Sequence, residues 1–348
     1  MKRAVKISLI CIAVGVFLII ISGIIIHIRG RKVRDEFVRG MKNISSIVFS
    51  DKDAFEFAFD FDDSDNYNDN SHVVSSRDNV SAEKNISFQL LETNTYSFDE
   101  IDSIDVSIKQ NCDFSILNTE DSFFSLEVYG EKMIMNHVSI TNNKFVVNIP
   151  KQKNITIFGI NFGDKKIKKI GRIVLYVPLG KSFDTVSIKA GIGNLHIENI
   201  ACTDCTVSNG VGRCTIENTK MKEFNFDGGV GESTFNSVES DTSKIHIGVG
   251  ETTMLNCSLH DVTIKGGVGA IHFDGRITGN SSIEIGLGGA DITLHESKEN
   301  YYLKYSTGLG SMTIDGVNSR SGTYNGKTAQ HSLELEGGIG ALTLRFND

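Results

Sequence analysis

One short pattern constrains this chain more than any other. The triplet Gly-Φ-Gly, with Φ always Val, Ile or Leu, occurs eight times after Ala190. Its paired glycines are Gly191 and Gly193, Gly210 and Gly212, Gly229 and Gly231, Gly248 and Gly250, Gly267 and Gly269, Gly286 and Gly288, Gly308 and Gly310, and Gly338 and Gly340. The first six triplets are 19 residues apart, and the last two gaps are 22 and 30. A fixed period near 20 marks a solenoid, in which each repeat is one structural coil.

Positions are counted here from the first glycine of each triplet. Position −3 is apolar (Ile188, Val207, Phe226, Ile245, Ile264, Ile283, Tyr305, Leu335). So is +1 (Ile192, Val211, Val230, Val249, Val268, Leu287, Leu309, Ile339), and so is +6 (Ile197, Ile216, Phe235, Met254, Phe273, Ile292, Ile314, Leu344). Position −2 is mostly polar. Alternation with period two and enrichment in β-branched residues read as strands. The phase slips by one residue between +1 and +6, so the chain bends at the triplet, where glycine tolerates φ > 0 and close backbone approach. All three apolar columns are expected in a continuous core, and eight coils at ~4.8 Å each would rise ~38 Å. The expected fold is all-β: a single-stranded, β-helix-like solenoid of about 19-residue coils, needing no helix.

The 348 residues carry a formal charge of −8, 40% apolar residues, 34 Gly, 2 Pro and no Trp. The acidity and the lack of a basic, aromatic-studded patch argue against nucleic acid as a partner. Cys202, Cys205, Cys214 and Cys257 occupy different columns, so stacking does not pair them. Cys202-x-x-Cys205 allows a local bridge or two small turn residues, and no second C-x-x-C completes a zinc site.

Residues 1–6 form a short basic tail. Residues 7–28 are 22 uncharged residues, long enough to cross a bilayer as a helix. No clear cleavage site follows, so an uncleaved single-pass anchor is expected. Basic residues are more numerous after it (Arg29, Arg31, Lys32, Arg34, Arg39, Lys42) than before, which by count places the solenoid in the cytoplasm. A tiny basic leader running straight into an apolar helix is also how exported, anchored proteins begin, and the reading preferred here puts the solenoid outside. Residues 29–84 form a juxtamembrane segment and an acidic linker. Phe55, Phe57, Phe59 and Phe61 alternate as in one amphipathic strand; Asp60, Asp62, Asp63 and Asp65 are hard oxygen ligands, without the Gly and distal Glu of an EF-hand loop. Residues 85–348 form the solenoid domain, regular from about 188. Short strands before Gly191 are expected to make wider coils that cap its first end, and a Gly/Ser/Asn-rich loop interrupts the other.

The stretch V-P-x-G-x-x-F-x-x-V-x-I-x-x-G-x-G from Val177 to Gly193, with FDEIDSIDVSIKQNCDFSILN and VSITNNKFVVNIP before it, resembles the bacterial putative adhesins. The similarity runs from Ile86 to the C-terminus. It implies an extracytoplasmic β-solenoid, often a single-pass envelope protein, with an interaction role and a cell-surface protein or glycan as partner. It supplies no catalytic residue and no cofactor.

Residues able to do chemistry fall in the outward columns. A dinucleotide fingerprint occurs once, between a strand and a helix; eight copies among strands exclude it. At +7, Glu198 and Glu217 would lie about 5 Å apart across one coil step, near the spacing of a retaining glycosidase pair, with His196 beside them. Adjacent acids are equally at home on a solvated sheet face. At +5, Thr215, Thr234 and Thr253 form a ladder that stabilises stacked strands. The first and third triplet residues have outward parity and could leave a strip without side chains for a flat partner; corner geometry accounts for the same glycines. The function expected is therefore non-enzymatic: a membrane-anchored binding protein or envelope scaffold. A cytoplasmic membrane-bound polymer and a glycan-active enzyme are the alternatives.

Overall fold

The computed structural model describes residues 90–96, 101–130, 132–151, 155–157, 160–162 and 170–347. The chain divides into two compact units, Met1–Phe61 and Asp62–Asp348. The described residues begin at Leu90, so the expected anchor, linker strand and Asp60–Asp65 cluster lie outside them.

Nearly every described element is a strand, and those from Ser182 to His260 stack in parallel at an offset of 19. Ala201–Val211 pairs with Ser182–Ile192 on one side and with the second half of Cys214–Val230 on the other. Cys214–Val230 pairs in turn with Ser233–His246. The apolar columns therefore sit directly above one another. In the Gly229 coil the buried positions are Ser233, Phe235, Val238, Ser240, Ser243, Ile245 and Ile247. That is period two with three slips, so each coil has three runs of strand and three corners.

The corners are built differently. One is the glycine triplet. The second falls at +8, where Asn199, Asn218, Ser237 and Asn256 all adopt φ between 49° and 55°. This left-handed conformation is one that Asn tolerates better than most residues. The third is the exposed pair at +12 and +13, for example Asp241 and Thr242.

The structure departs from two expectations. The +1 column is not core: Ile192, Val211, Val268, Leu287 and Ile339 are half-buried, and Val230 and Val249 are exposed. The phase slip lies before +1, since burial runs −3, −1 and then resumes at +4 and +6. The result is an aliphatic ridge on the surface, laddered from Val230 through Val249, Val268 and Leu287 to Ile339. Second, the ends are not merely wider coils. Ser103–Thr119 stacks between the coil of Ser182–Glu198 and the coil made by Lys144–Ile149 and Gly171–Pro178. The chain thus passes outward, makes the end coil, and returns. The other end does the same. His331–Gly337 and Ala341–Phe346 insert between the Asn280–Leu294 coil and the coil of Tyr301–Thr307 and Ser311–Ile314.

Each outermost coil is covered by antiparallel strands. Phe124–Gly130 lies on Gly171–Pro178, and Val138–Thr141 on Lys144–Ile149. At the far end Val317–Ser319 and Ser321–Asn325 cover Ser311–Ile314 and Tyr301–Thr307.

The core packs by alternating size. Along one inner corner the stacked pairs read Phe183/Val186, Cys202/Cys205, Met221/Phe224, Ser240/Ser243 and Leu259/Val262. Small pairs flank the bulky Met221/Phe224 pair, which lets the rungs keep one spacing. Phe235 meets Phe226 and Phe224 edge to face, with centroids 4.9 Å and 5.7 Å apart.

Candidate functional site

The triplet glycines owe their identity to the coil next door. Gly193, Gly212, Gly231, Gly250, Gly269, Gly288 and Gly340 hold φ between 130° and 144°. A Cβ at any of them would come closer than 3.0 Å to a backbone carbonyl of the adjacent coil. The same holds for Gly210, Gly229, Gly248, Gly267, Gly286 and Gly338. The missing side chains would therefore point along the stack, not out of it. Gly340 rests on Gly288 and Gly310 on Gly340, which restates the inserted order of the last coils. Gly308, on the outermost coil, is less confined, its Cβ meeting Gly338 at 2.9 Å.

The carboxylates singled out in the sequence are brought together. Glu198 and Glu217 are direct partners across one rung. His196 Nε2 lies 3.7 Å from Glu198 and 3.9 Å from Glu217. Their side chains are 35% and 31% exposed. A catalytic carboxylate pair works best where water is excluded; solvent reaches both groups here. Similar pairs recur along the same face, with His295 3.0 Å from Asp274 and His272 3.7 Å from Glu251. Arg213–Glu232 and Lys220–Glu239 also bridge neighbouring rungs, at 3.1 and 2.9 Å. Inter-rung ion pairing is thus a general feature of the surface.

Cys202 and Cys205 are not turn residues. Both sit in strand, point inward and are free thiols. The Cys205 thiol is held well above its usual range by a hydrogen bond with Cys202, and burial adds to this. Burial pushes Cys214 up to about 12 and Cys257 up to about 11. Thiols so protonated are poor nucleophiles. Ser240 and Ser243 occupy the same two positions two coils on, so small volume is what the site demands. Among the described residues, no group of three or more His, Cys, Asp and Glu could hold a metal ion.

Sequence reasoning missed the corner at +8. Its signal was present as the column Asn199, Asn218, Ser237, Asn256 and Gly275, all residues suited to left-handed or tight backbone. Asn118 extends this column downward, its Nδ2 donating to the Asn199 carbonyl at 3.2 Å.

A family model described as Toastrack DUF4097 matches residues 82–337. The chain belongs to this Toastrack family. Its triplet corners and 19-residue coils all fall within or next to the matched Toastrack segment. Two solved structures are similar. One is a putative adhesin from Bacteroides fragilis, 19% identical, covering 74% of this chain and 98% of that one with a TM-score of 0.46. The other is a putative cell adhesion protein from Clostridium sporogenes, 11% identical, covering 74% and 100% with a TM-score of 0.23. No curated protein matches the chain.

Proposed function

We propose that the chain is a membrane-anchored, extracytoplasmic solenoid that works by binding, as an adhesion module or an envelope scaffold, and carries out no catalysis. The observation that carries this reading is the character of the outer surface. Its strand faces are laced with inter-rung ion pairs, and the Glu198–Glu217 pair among them is about a third exposed to water. A charged, solvated face suits a macromolecular partner better than a small substrate, which needs a concave, water-excluding pocket. The uncharged 7–28 segment supports the anchor. The antiparallel strands at both ends count against end-to-end polymerisation, because they interrupt the parallel ladder that a filament would have to continue.

The test is topological. Ser321 is exposed in the end hairpin, while the described native thiols are buried and silent in the folded protein. Intact cells carrying Ser321→Cys are treated with a membrane-impermeant maleimide. Labelling above the wild-type background is the expected result. Labelling only after lysis would move the solenoid to the cytoplasm and overturn the proposal.

A further inference from the structure

The strand Ser321–Asn325 in the terminal hairpin has a bare edge. It pairs antiparallel with Tyr301–Thr307, and with no other strand among the described residues. The Gly326 N–H donates to the Tyr301 carbonyl, and the Thr307 N–H to the Arg320 carbonyl. Hydrogen bonding in an antiparallel pair alternates residue by residue. Arg320, Gly322, Tyr324 and Gly326 therefore turn their backbone groups toward this neighbour, while Ser321, Thr323 and Asn325 turn theirs away. Those same three residues are the exposed ones of the strand.

Such an edge is a template for another strand unless charge, proline or a bulge guards it. Ser321–Asn325 has no charged residue and no proline, and its pairing runs without a register shift. The opposite end is different. Its outermost strand, Leu90–Tyr96, contains Glu92 and a bulge between Leu90 and Glu92, and it is where the chain enters the described solenoid. The bare edge thus lies at the end away from that entry. The two outermost runs of chain at this end also hold Leu309 and Val317, 78% and 65% exposed, the most open large apolar side chains among the described residues.

We propose that this edge pairs with the same edge of a second copy, tip to tip, in an antiparallel ladder with Thr323 on the two-fold axis. Thr323 then faces its own counterpart, and Ser321 faces Asn325. Small polar pairs of this kind are favourable across strands. The flanking charges agree with the register: Arg320 comes opposite Gly326 and Lys327 opposite Ser319, so no like charges meet. The segment is self-complementary about its middle residue, which favours a second copy over an unrelated strand. The contact is isologous, so it closes as a dimer and builds no filament. It gives the adhesion module proposed above its partner; the adhesive role rests on that reading, the pairing does not.

The full chain, purified in detergent, is to be weighed by sedimentation with and without Thr323→Lys. Thr323 is exposed and its N–H faces away from Tyr301–Thr307, so the fold tolerates Lys there. On the axis, however, two ammonium groups would meet. The native chain is expected to be a dimer, and Thr323→Lys to weaken association ~10-fold or more. A native monomer would overturn the proposal, and so would a dimer that Thr323→Lys leaves unchanged. A second readout uses Thr323→Cys in a Cys11→Ala background with a short bis-maleimide. Cross-linked dimers are expected there, but not for Ser258→Cys, which is exposed in the middle of the solenoid. Equal cross-linking at both positions would sink the register. Neither readout depends on membrane orientation, so a solenoid that labels only after lysis would remove the adhesive role and leave the pairing standing.

Discussion

Between Gly191 and Gly288 the order of coils in space is the order in sequence, whereas at both ends the two orders part. In the middle, each strand has one natural partner, its own column one period away. At the ends the columns alone permit two orders, since Tyr305 and Leu335 both satisfy position −3. What decides is the hairpin each coil carries. Tyr301–Ile314 is followed at once by the strands that cover its free edge, so it has to be outermost. The plain coil of His331–Phe346 has no such cover and goes inside. Gly171–Pro178 and Ser103–Thr119 repeat the logic at the other end. Periodicity therefore encodes how coils stack, and edge protection encodes which coil comes last.

This contrast can be broken experimentally, and the largest effect expected is a cross-link. Glu284 and Glu336 are direct partners across a rung, while Ser306 lies one rung further out. Cysteines at 284 and 336 should oxidise almost completely, because neighbouring strands set Cα atoms within disulfide reach. Cysteines at 284 and 306 should not; the reverse pattern would mean that the last two coils stack in sequence order. Next in size is Gly269→Val in the middle, which meets both positive φ and the Gly250 carbonyl and should cost at least about 4 kcal/mol in urea unfolding. Gly316→Ala in the end hairpin, with φ of 79° and nothing within 4 Å, should cost only about 1 kcal/mol. Equal costs would remove the argument that stacking selects the triplet glycines.

Smaller effects sharpen the same comparison. Cys214 and Cys257 have folded pKa values pushed up to about 12 and about 11 by burial. Raised acids contribute fully below their unfolded pKa, and that stability is lost as pH climbs from about 9 toward those values, at up to ~1.4 kcal/mol per pH unit per thiol. Urea midpoints should fall in this range, and the fall should flatten when both are replaced by Ala. Asn218→Ala at the +8 corner should cost about 1 kcal/mol, with Asn218→Gly near neutral. If both variants behave alike, the left-handed corner is not what selects Asn. Arg213→Gln, which removes an exposed inter-rung pair, should shift stability by less than about 0.5 kcal/mol.

The coils were legible because a 19-residue offset repeats every physical demand on a residue. Ile188 and Ile197 could be placed in the core from spacing alone. Val230 could not, since alternation says only that −1 and +1 share a face if the strand is straight. The triplet is where it is not straight, and the turn carries +1 outward. The inserted terminal coils were also hidden, because strand patterns record which side is buried and not which neighbour lies above. At the Glu198 and Glu217 pair, sequence placed the carboxylates correctly side by side. Whether a wall would enclose them depended on the shape of the surrounding face, to which residues far along the chain contribute.

The inserted ends have a consequence for how such a chain can change length. A plain solenoid lengthens by adding units at its tip. Here the tips are locked, each end coil bound to its cover and clamped over a returning segment. New units can enter, or old ones drop out, only in the uniform interior, where the Gly229 coil could be duplicated or excised without disturbing either closure. Growth in this architecture is from within, in whole steps of 19 residues, between two termini that stay the same.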